Sequence, residues 1–254
     1  MLLIAHECPT AYIPLVSQYT TLDFAITHYA LEDPVYTRMY ANRQPWKALI
    51  LDNGKFELGN PLAVELILKV ANYLRADYVV PPDHFEDLGA TMRSFDRLSR
   101  RKLSPRITLA PVCCGKTPQE LAICHNYYIE KGVKVICWSF LGPRMEAIKL
   151  TKPDPQVMYH LLGWKGKDEL AECFKALLPA TRVSIDTSKP VAAAHEGIEL
   201  SHQNGDVIRG KYRRPPLDTV YLDEKLLLSN IKAFQFWIQA AWDKRNASCE
   251  EKGG

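Results

Sequence analysis

The sequence predicts an α/β fold, a (β/α)8 barrel formed by one catalytic-sized domain over residues 1–243. Two observations lead there. Short apolar runs alternate with segments of helical periodicity, which implies parallel strands joined by helical crossovers. Eight such runs are read along the chain, and eight units in roughly 200–250 residues suit a closed barrel. A doubly wound open sheet is the other solution, but no G-x-G-x-x-G follows the first strand.

In chain order, the predicted strands cover 2–5, 22–27 (ending near His28), 48–51, 78–80, 107–112, 133–138, 157–162 and 183–185. A tyrosine-rich segment with Tyr29, Tyr36 and Tyr40 precedes the third. Residues 61–74 read as a helix because Leu62, Val64, Leu66, Ile67, Val70 and Leu74 can form one broad apolar face. Residues 88–103 read as a second helix. Thr117-Pro118-Gln119-Glu120 is a capping sequence for a third, which should run to Lys131 before Gly132 stops it. Residues 168–178 form another. Beyond Ala194 the regularity breaks, so 195–216 reads as a loop insertion, 223–242 as a terminal amphipathic helix packed on the barrel wall, and 244–254 as a frayed polar tail.

The chain has 254 residues, 47% hydrophobic and 24% charged, enough for one large core. A formal net charge of +3 does not announce a nucleic-acid protein. Two local clusters are more pointed: Arg97, Arg100, Arg101 and Lys102, then Arg209, Lys211, Arg213 and Arg214. Each fits a solvated face or a phosphate contact. The 7 cysteines form no C-x-x-C pair, which points to reduced, mostly buried thiols and a cytoplasmic protein rather than disulfides or a zinc cluster. No apolar run approaches a membrane span and the N-terminus lacks a signal-peptide pattern.

In a barrel the residues just past each strand converge on one mouth. Here that mouth would receive Asp52, Asp83, Cys114, Trp138, Ser139, His160 and Asp186. The run Val183-Ser184-Ile185-Asp186-Thr187-Ser188-Lys189-Pro190-Val191 is the most pointed, because a β-branched strand feeds a carboxylate and two hydroxyls. Asp186 could carry chemistry or merely cap the next helix, with Ser188 as a second cap and Pro190 near the first turn. Three aspartates at one mouth could bind a metal, divide nucleophile and proton-handling roles around a glycosidic carbon, or hydrogen-bond a flat base. No metal-ligand spacing is present.

These residues resemble a known family. Leu51-Asp52-Asn53-Gly54-Lys55-Phe56 is similar to the T-D-S-G-G-F motif of tRNA-guanine transglycosylases, and Ala76 to Asp83 is similar to that family's strand ending in a guanine-reading aspartate. Pro111-Val112-Cys113-Cys114-Gly115 sits where the family has V-Q-G, Tyr159-His160-Leu161-Leu162-Gly163 resembles Y-L-M-G, and Ile185-Asp186-Thr187-Ser188 lies at the nucleophilic aspartate. The order holds over most of residues 45–195. The family's C-x-C-x-x-C zinc site has no counterpart in 190–254, and Cys114 replaces a glutamine. The chain more closely resembles the compact DpdA-type transglycosylases of phages, which share L-D-N-G-x-F-E, H-L-L-G and I-D-T-S-x-P-V.

That resemblance implies exchange of guanine in DNA for a free 7-deazaguanine base, without a metal or other cofactor. Asp186 would be the nucleophile, Asp52 would deprotonate or orient the incoming base, and Asp83 would accept from its Watson-Crick edge. Phe56 or Trp138 would stack on it, with Cys114, Gly115, Ser139, His160 and Gly163 completing the base site. A base in duplex DNA must be flipped, and the two basic clusters would contact phosphates to offset the cost. Three other readings stay open: a tRNA-guanine transglycosylase lacking zinc, a non-catalytic nucleic-acid or base-binding barrel, and a metal-dependent barrel hydrolase.

Overall fold

A computed structural model of the chain describes residues 1–164, 166–178, 180–201 and 215–247, and the helical backbone of 248–250. It is a mixed α/β structure with nine short strands among the described residues: β1 (Leu2–His6), β2 (Asp23–Ile26), β3 (Leu49–Asp52), β4 (Tyr78–Val79), β5 (Thr108–Leu109), β6 (Val112–Cys113), β7 (Val135–Ser139), β8 (Met158–Leu162) and β9 (Arg182–Thr187). Their order is β1-β9-β8-β7-β6 in one sheet and β2-β3-β4-β5 in the other, with every pairing parallel. The expected strand at 107–112 is thus two shorter ones. Pro111, which has no N–H for a ladder, stands between them.

Successive side chains on a strand point to opposite faces. One face of each sheet is covered by helices: in the first, Ile136, Trp138, Tyr159, Leu161, Val183 and Ile185 pack with Tyr128, Phe174 and Phe234, and in the second, Ala25, Leu49, Leu51 and Val79 pack with Tyr36, Ile67 and Leu74. The other faces meet in a common inner cluster, with Ala5 from β1, Phe24 and Ile26 from β2, Ile50 from β3, Cys137 from β7 and Met158 from β8. A pair of sheets buried on both faces explains why the strands read as continuous apolar runs.

The helix Pro118–Glu130 carries the predicted capping box, with Glu120 N donating to Thr117 Oγ1 at 3.2 Å and Thr117 N to Glu120 Oε2 at 3.3 Å. The helix expected from residue 61 starts later, as Val64–Leu74, because Ala63 is still extended. The tyrosine-rich segment forms Thr27–Glu32 and Pro34–Ala41. Asp33 caps the second, accepting from Val35 N at 2.8 Å and Tyr36 N at 3.1 Å, and Pro34 supplies a preset first turn. Residues after Asp186 form a further helix, Lys189–His195. The polar segment after Trp242 is not a frayed tail over its first part: the terminal helix Glu224–Glu250 continues through it. Arg245 holds it down, donating to the Phe174 and Ala180 carbonyls and lying 4.1 Å over the Trp242 ring. Among the described residues no helix is long and apolar enough to cross a membrane.

His6 ends β1 on the helix-covered side, buried and edge-on to Phe234 with ring centroids 5.8 Å apart. Burial pushes its pKa down to about 4, against smaller upward contributions from the Thr187 backbone and the Asp186 charge. The unfolded chain binds this proton at its ordinary value of 6.5, the folded chain only near 4. The associated stability is therefore fully present above pH 6.5 and is lost as pH falls from about 6.5 to about 4, by roughly 3 kcal/mol. Urea unfolding across that window should show a steeper loss for the wild type than for His6→Gln; equal slopes would contradict the assignment.

Candidate active site

The C-terminal ends of the parallel strands gather the acidic residues. On β9, Ser184 and Asp186 share the face opposite Val183 and Ile185, so both point away from the helices. Asp186 is 3% exposed, and its Oδ1 accepts from His160 Nε2 at 3.0 Å and from Gly163 N at 3.2 Å, both contributed by the β8 side. His160 Nδ1 lies 2.8 Å from Ser184 Oγ, and the ring stacks on Phe24 with centroids 5.7 Å apart. Nε2–H donates to the carboxylate, and Nδ1 shares a hydrogen with the serine hydroxyl. The helix after β9 takes Ser188 as its N-cap without a side-chain capping bond. Asp186 is therefore not a cap.

Asp52 ends β3 on the inner parity, with Oδ2 accepting from Gly54 N at 2.8 Å. Burial raises its pKa well above the usual carboxylate range; the charges of Glu57, Asp83 and Asp186 add to the rise, and the Gly54 N–H opposes it. Glu57, from the short helix Lys55–Leu58, is itself pushed up to about 7 by burial, with the Asp186 charge contributing. Asp83 follows β4. Its Oδ1 accepts from Asn53 Nδ2 at 2.7 Å and its Oδ2 from Cys114 Sγ at 3.5 Å, while Asn53 Nδ2 also reaches the Pro81 carbonyl at 2.7 Å. Burial raises the Asp83 pKa, and the Asn53 and Cys114 donors hold it down. Asp52, Asp83 and Asp186, far apart in the chain, thus interact at one end of the sheets.

Two glycines shape this end. Gly54 has φ of +75°, and a Cβ there would lie 2.7 Å from His28 Nδ1. Gly163 has φ of +66°, and a Cβ would lie 2.6 Å from the Phe140 ring. Only glycine lets the chain turn this closely past both rings. Phe56 is 59% exposed and meets Phe140 at 5.6 Å between ring centroids. This pair is the aromatic surface next to Gly163.

Several expected site residues lie elsewhere. Trp138 is fully buried on the helix-covered face of β7, stacked on His125 at 5.7 Å, because it has the opposite parity from Cys137 and Ser139. It cannot stack on a base at the strand ends. Ser139 is partly buried there, its Oγ accepting from Leu141 N at 3.2 Å. Gly115 lies in the turn between β6 and the helix Pro118–Glu130. Arg97, Arg100, Arg101 and Lys102 are exposed at the far end of the helix Leu88–Ser99, which runs back from the acidic end after β4, and Arg101 pairs with Glu65 at 2.7 Å. Glu65 lies in the first turn of the helix Val64–Leu74, so this ion pair ties the cluster to the start of the helix that follows β3. Arg209, Lys211, Arg213 and Arg214 lie outside the described residues.

Asn53, Glu57, Phe140 and Ser184 are site residues that the sequence reading passed over. Each is one or two residues from a residue singled out there, and strand parity was the available signal for Ser184. Among the described residues no group of three or more His, Cys, Asp or Glu is placed to hold a metal ion. Gly163→Ala should cost at least about 1 kcal/mol from the left-handed backbone alone. Chemical denaturation checks this; wild-type stability in the variant would mean that the turn and Phe140 relax freely.

The chain matches no protein-family model and no curated protein. What speaks to its function is the arrangement of its own residues.

Proposed function

We propose that the protein is a base-exchanging transglycosylase that replaces guanine in DNA with a 7-deazaguanine base through a covalent aspartyl-glycosyl intermediate. The observation that carries this reading is the Asp186 carboxylate, buried and held through Oδ1 by His160 and Gly163, within electrostatic reach of Asp52. A structural carboxylate at a helix start would face the helix; this one faces other acids.

In this mechanism Asp186 attacks the anomeric carbon and the C1′–N9 bond breaks with its electron pair on guanine. Asp52, whose raised pKa favours the neutral acid, gives its proton to the departing base. The incoming base returns a proton to Asp52 as its N9 attacks C1′ and displaces Asp186. Two inversions give net retention, and no proton or charge is left over. Asp83, held by Asn53 and Cys114, accepts from the N–H donors of the base edge, and Phe56 with Phe140 supplies the stacking surface.

The same reading takes the two sheets as arcs of one closed (β/α)8 barrel. Thr21 N and Leu22 N donate to the Ile4 carbonyl at 3.0 and 3.3 Å, linking β1 to the approach of β2, and only Ala110 and Pro111 separate β5 from β6. Phe24 stacked on His160 then crosses the interior. A flipped nucleotide would meet Lys55, whose charge reaches Asp83, and Lys189, just past β9.

Incubation with labelled guanine and either DNA or tRNA, followed by denaturing electrophoresis, tests the reading. Label should enter DNA, and a covalent adduct should form that Asp186→Asn abolishes; label in tRNA alone would assign the other nucleic acid, and no adduct with either would end the proposal. Asp52→Asn makes a second prediction. It should slow exchange by about 10² to 10⁴, yet leave stability at neutral pH equal or higher, because it removes a carboxyl whose ionised form the fold disfavours. A large loss of stability would show that Asp52 is structural.

A further inference from the structure

Arg144 opens the helix Arg144–Lys149 and is 1% exposed. A guanidinium buried this deeply destabilises the fold unless a counter-charge is close and its donors are met. Both conditions hold. Nε donates to Glu169 Oε1 and Nη2 to Glu169 Oε2 at 2.8 Å. Nη1 donates to the carbonyls of Trp138 at 3.2 Å and Leu162 at 2.9 Å, and Nη2 to that of Gly163 at 3.0 Å. Five bonds use all five N–H groups.

The three carbonyls belong to the ends of β7 and β8 and to the turn that follows. The Leu162 carbonyl and the Gly163 N–H are two ends of one peptide group. Its oxygen accepts from Arg144 and from Phe140 N at 3.0 Å, and its N–H donates to Asp186 Oδ1 at 3.2 Å. With Gly163 in the left-handed region, this peptide could rotate to face its oxygen toward Asp186, where two negative groups would repel.

We propose that Arg144, locked by Glu169, is a positioning residue for Asp186: it pins the 162–163 peptide so that the Gly163 N–H stays aimed at the carboxylate. A cation on the carbonyl oxygen also polarises the amide and strengthens its N–H as a donor. The positioning itself stands on the hydrogen bonds; only the step it serves rests on the transglycosylase reading. Apolar residues of similar volume would fill the same space without desolvating two charges, commonly at no loss of stability. They would leave the Leu162 oxygen with the Phe140 N–H as its donor and no cation to fix it.

The double variant Arg144→Met/Glu169→Leu tests this, because it removes the clamp while leaving the volume filled. Two readouts separate the two levels of inference. Hydrogen exchange at the Gly163 amide should quicken by about tenfold, the worth of one such bond, whatever the enzyme does. Adduct formation with guanine-containing DNA should slow at least about tenfold while KM for the free base stays within about twofold, the pattern of an interaction lost from the reacting state rather than from binding. Unchanged amide exchange overturns the proposal, as does an unchanged adduct rate in an enzyme whose wild type forms the adduct. Should the wild type form none, the transglycosylase reading fails and amide exchange alone decides the clamp. If the double variant does not fold, Arg144→Lys is read the same way, since lysine keeps the charge but not the planar fork.

Discussion

The hydrogen bonds from His160 and Gly163 to Asp186 are the constraint on which the acidic end of this molecule depends. They exist because β8 and β9 pair in parallel with His160 opposite Ser184, so one imidazole spans two residues of the neighbouring strand. Parallel pairing also fixes which end of every strand faces the same way. Residues 52, 83 and 186 can interact only because their strands end on the same side.

Burial then sets the chemistry. Carboxyls placed together away from water resist ionising, both for lack of solvation and because each ionised neighbour repels the next. Asp52 and Glu57 show this, each raised first by burial and then by nearby acids. Asp83 is moderated by the donors of Asn53 and Cys114. Unlike carboxyls in unlike surroundings are what a reaction needs when one group attacks and another carries a proton. The arrangement is costly to the fold, and the buried apolar clusters on both sides of the sheets offset it.

Around this centre the chain uses charge sparingly. Lys55, which opens the short helix after β3, acts on Asp83, and the Arg144 guanidinium acts on Asp186. The basic run at 97–102 is exposed at the C-terminal end of the helix Leu88–Ser99, and Arg101 there is already paired with Glu65, which a count of charges along the sequence does not reveal. A cluster of like charges states what it could touch; the crossover decides where it stands.

Much of the layout was legible in the amino-acid order. Alternating strand and helix patterns foretold parallel sheets, the Thr117/Glu120 capping box foretold its helix, and Asp52, Asp83 and Asp186 followed apolar runs that did prove to be strands. These are local signals, set by backbone propensity and by residues three or four apart. The errors were of another kind. Trp138 was placed at the strand ends although Cys137 and Ser139 hold the inner parity, and the segment after Trp242 was taken as loose although Arg245 docks on distant carbonyls. The sequence alone therefore determined the order of strands and helices and the stretch in which each falls, while strand ends shifted and the 107–112 run divided in two. Only the tertiary structure decided which of those residues meet, and that Arg144 and Glu169 stand behind Asp186, because such contacts join segments whose separation along the chain carries no periodic signal.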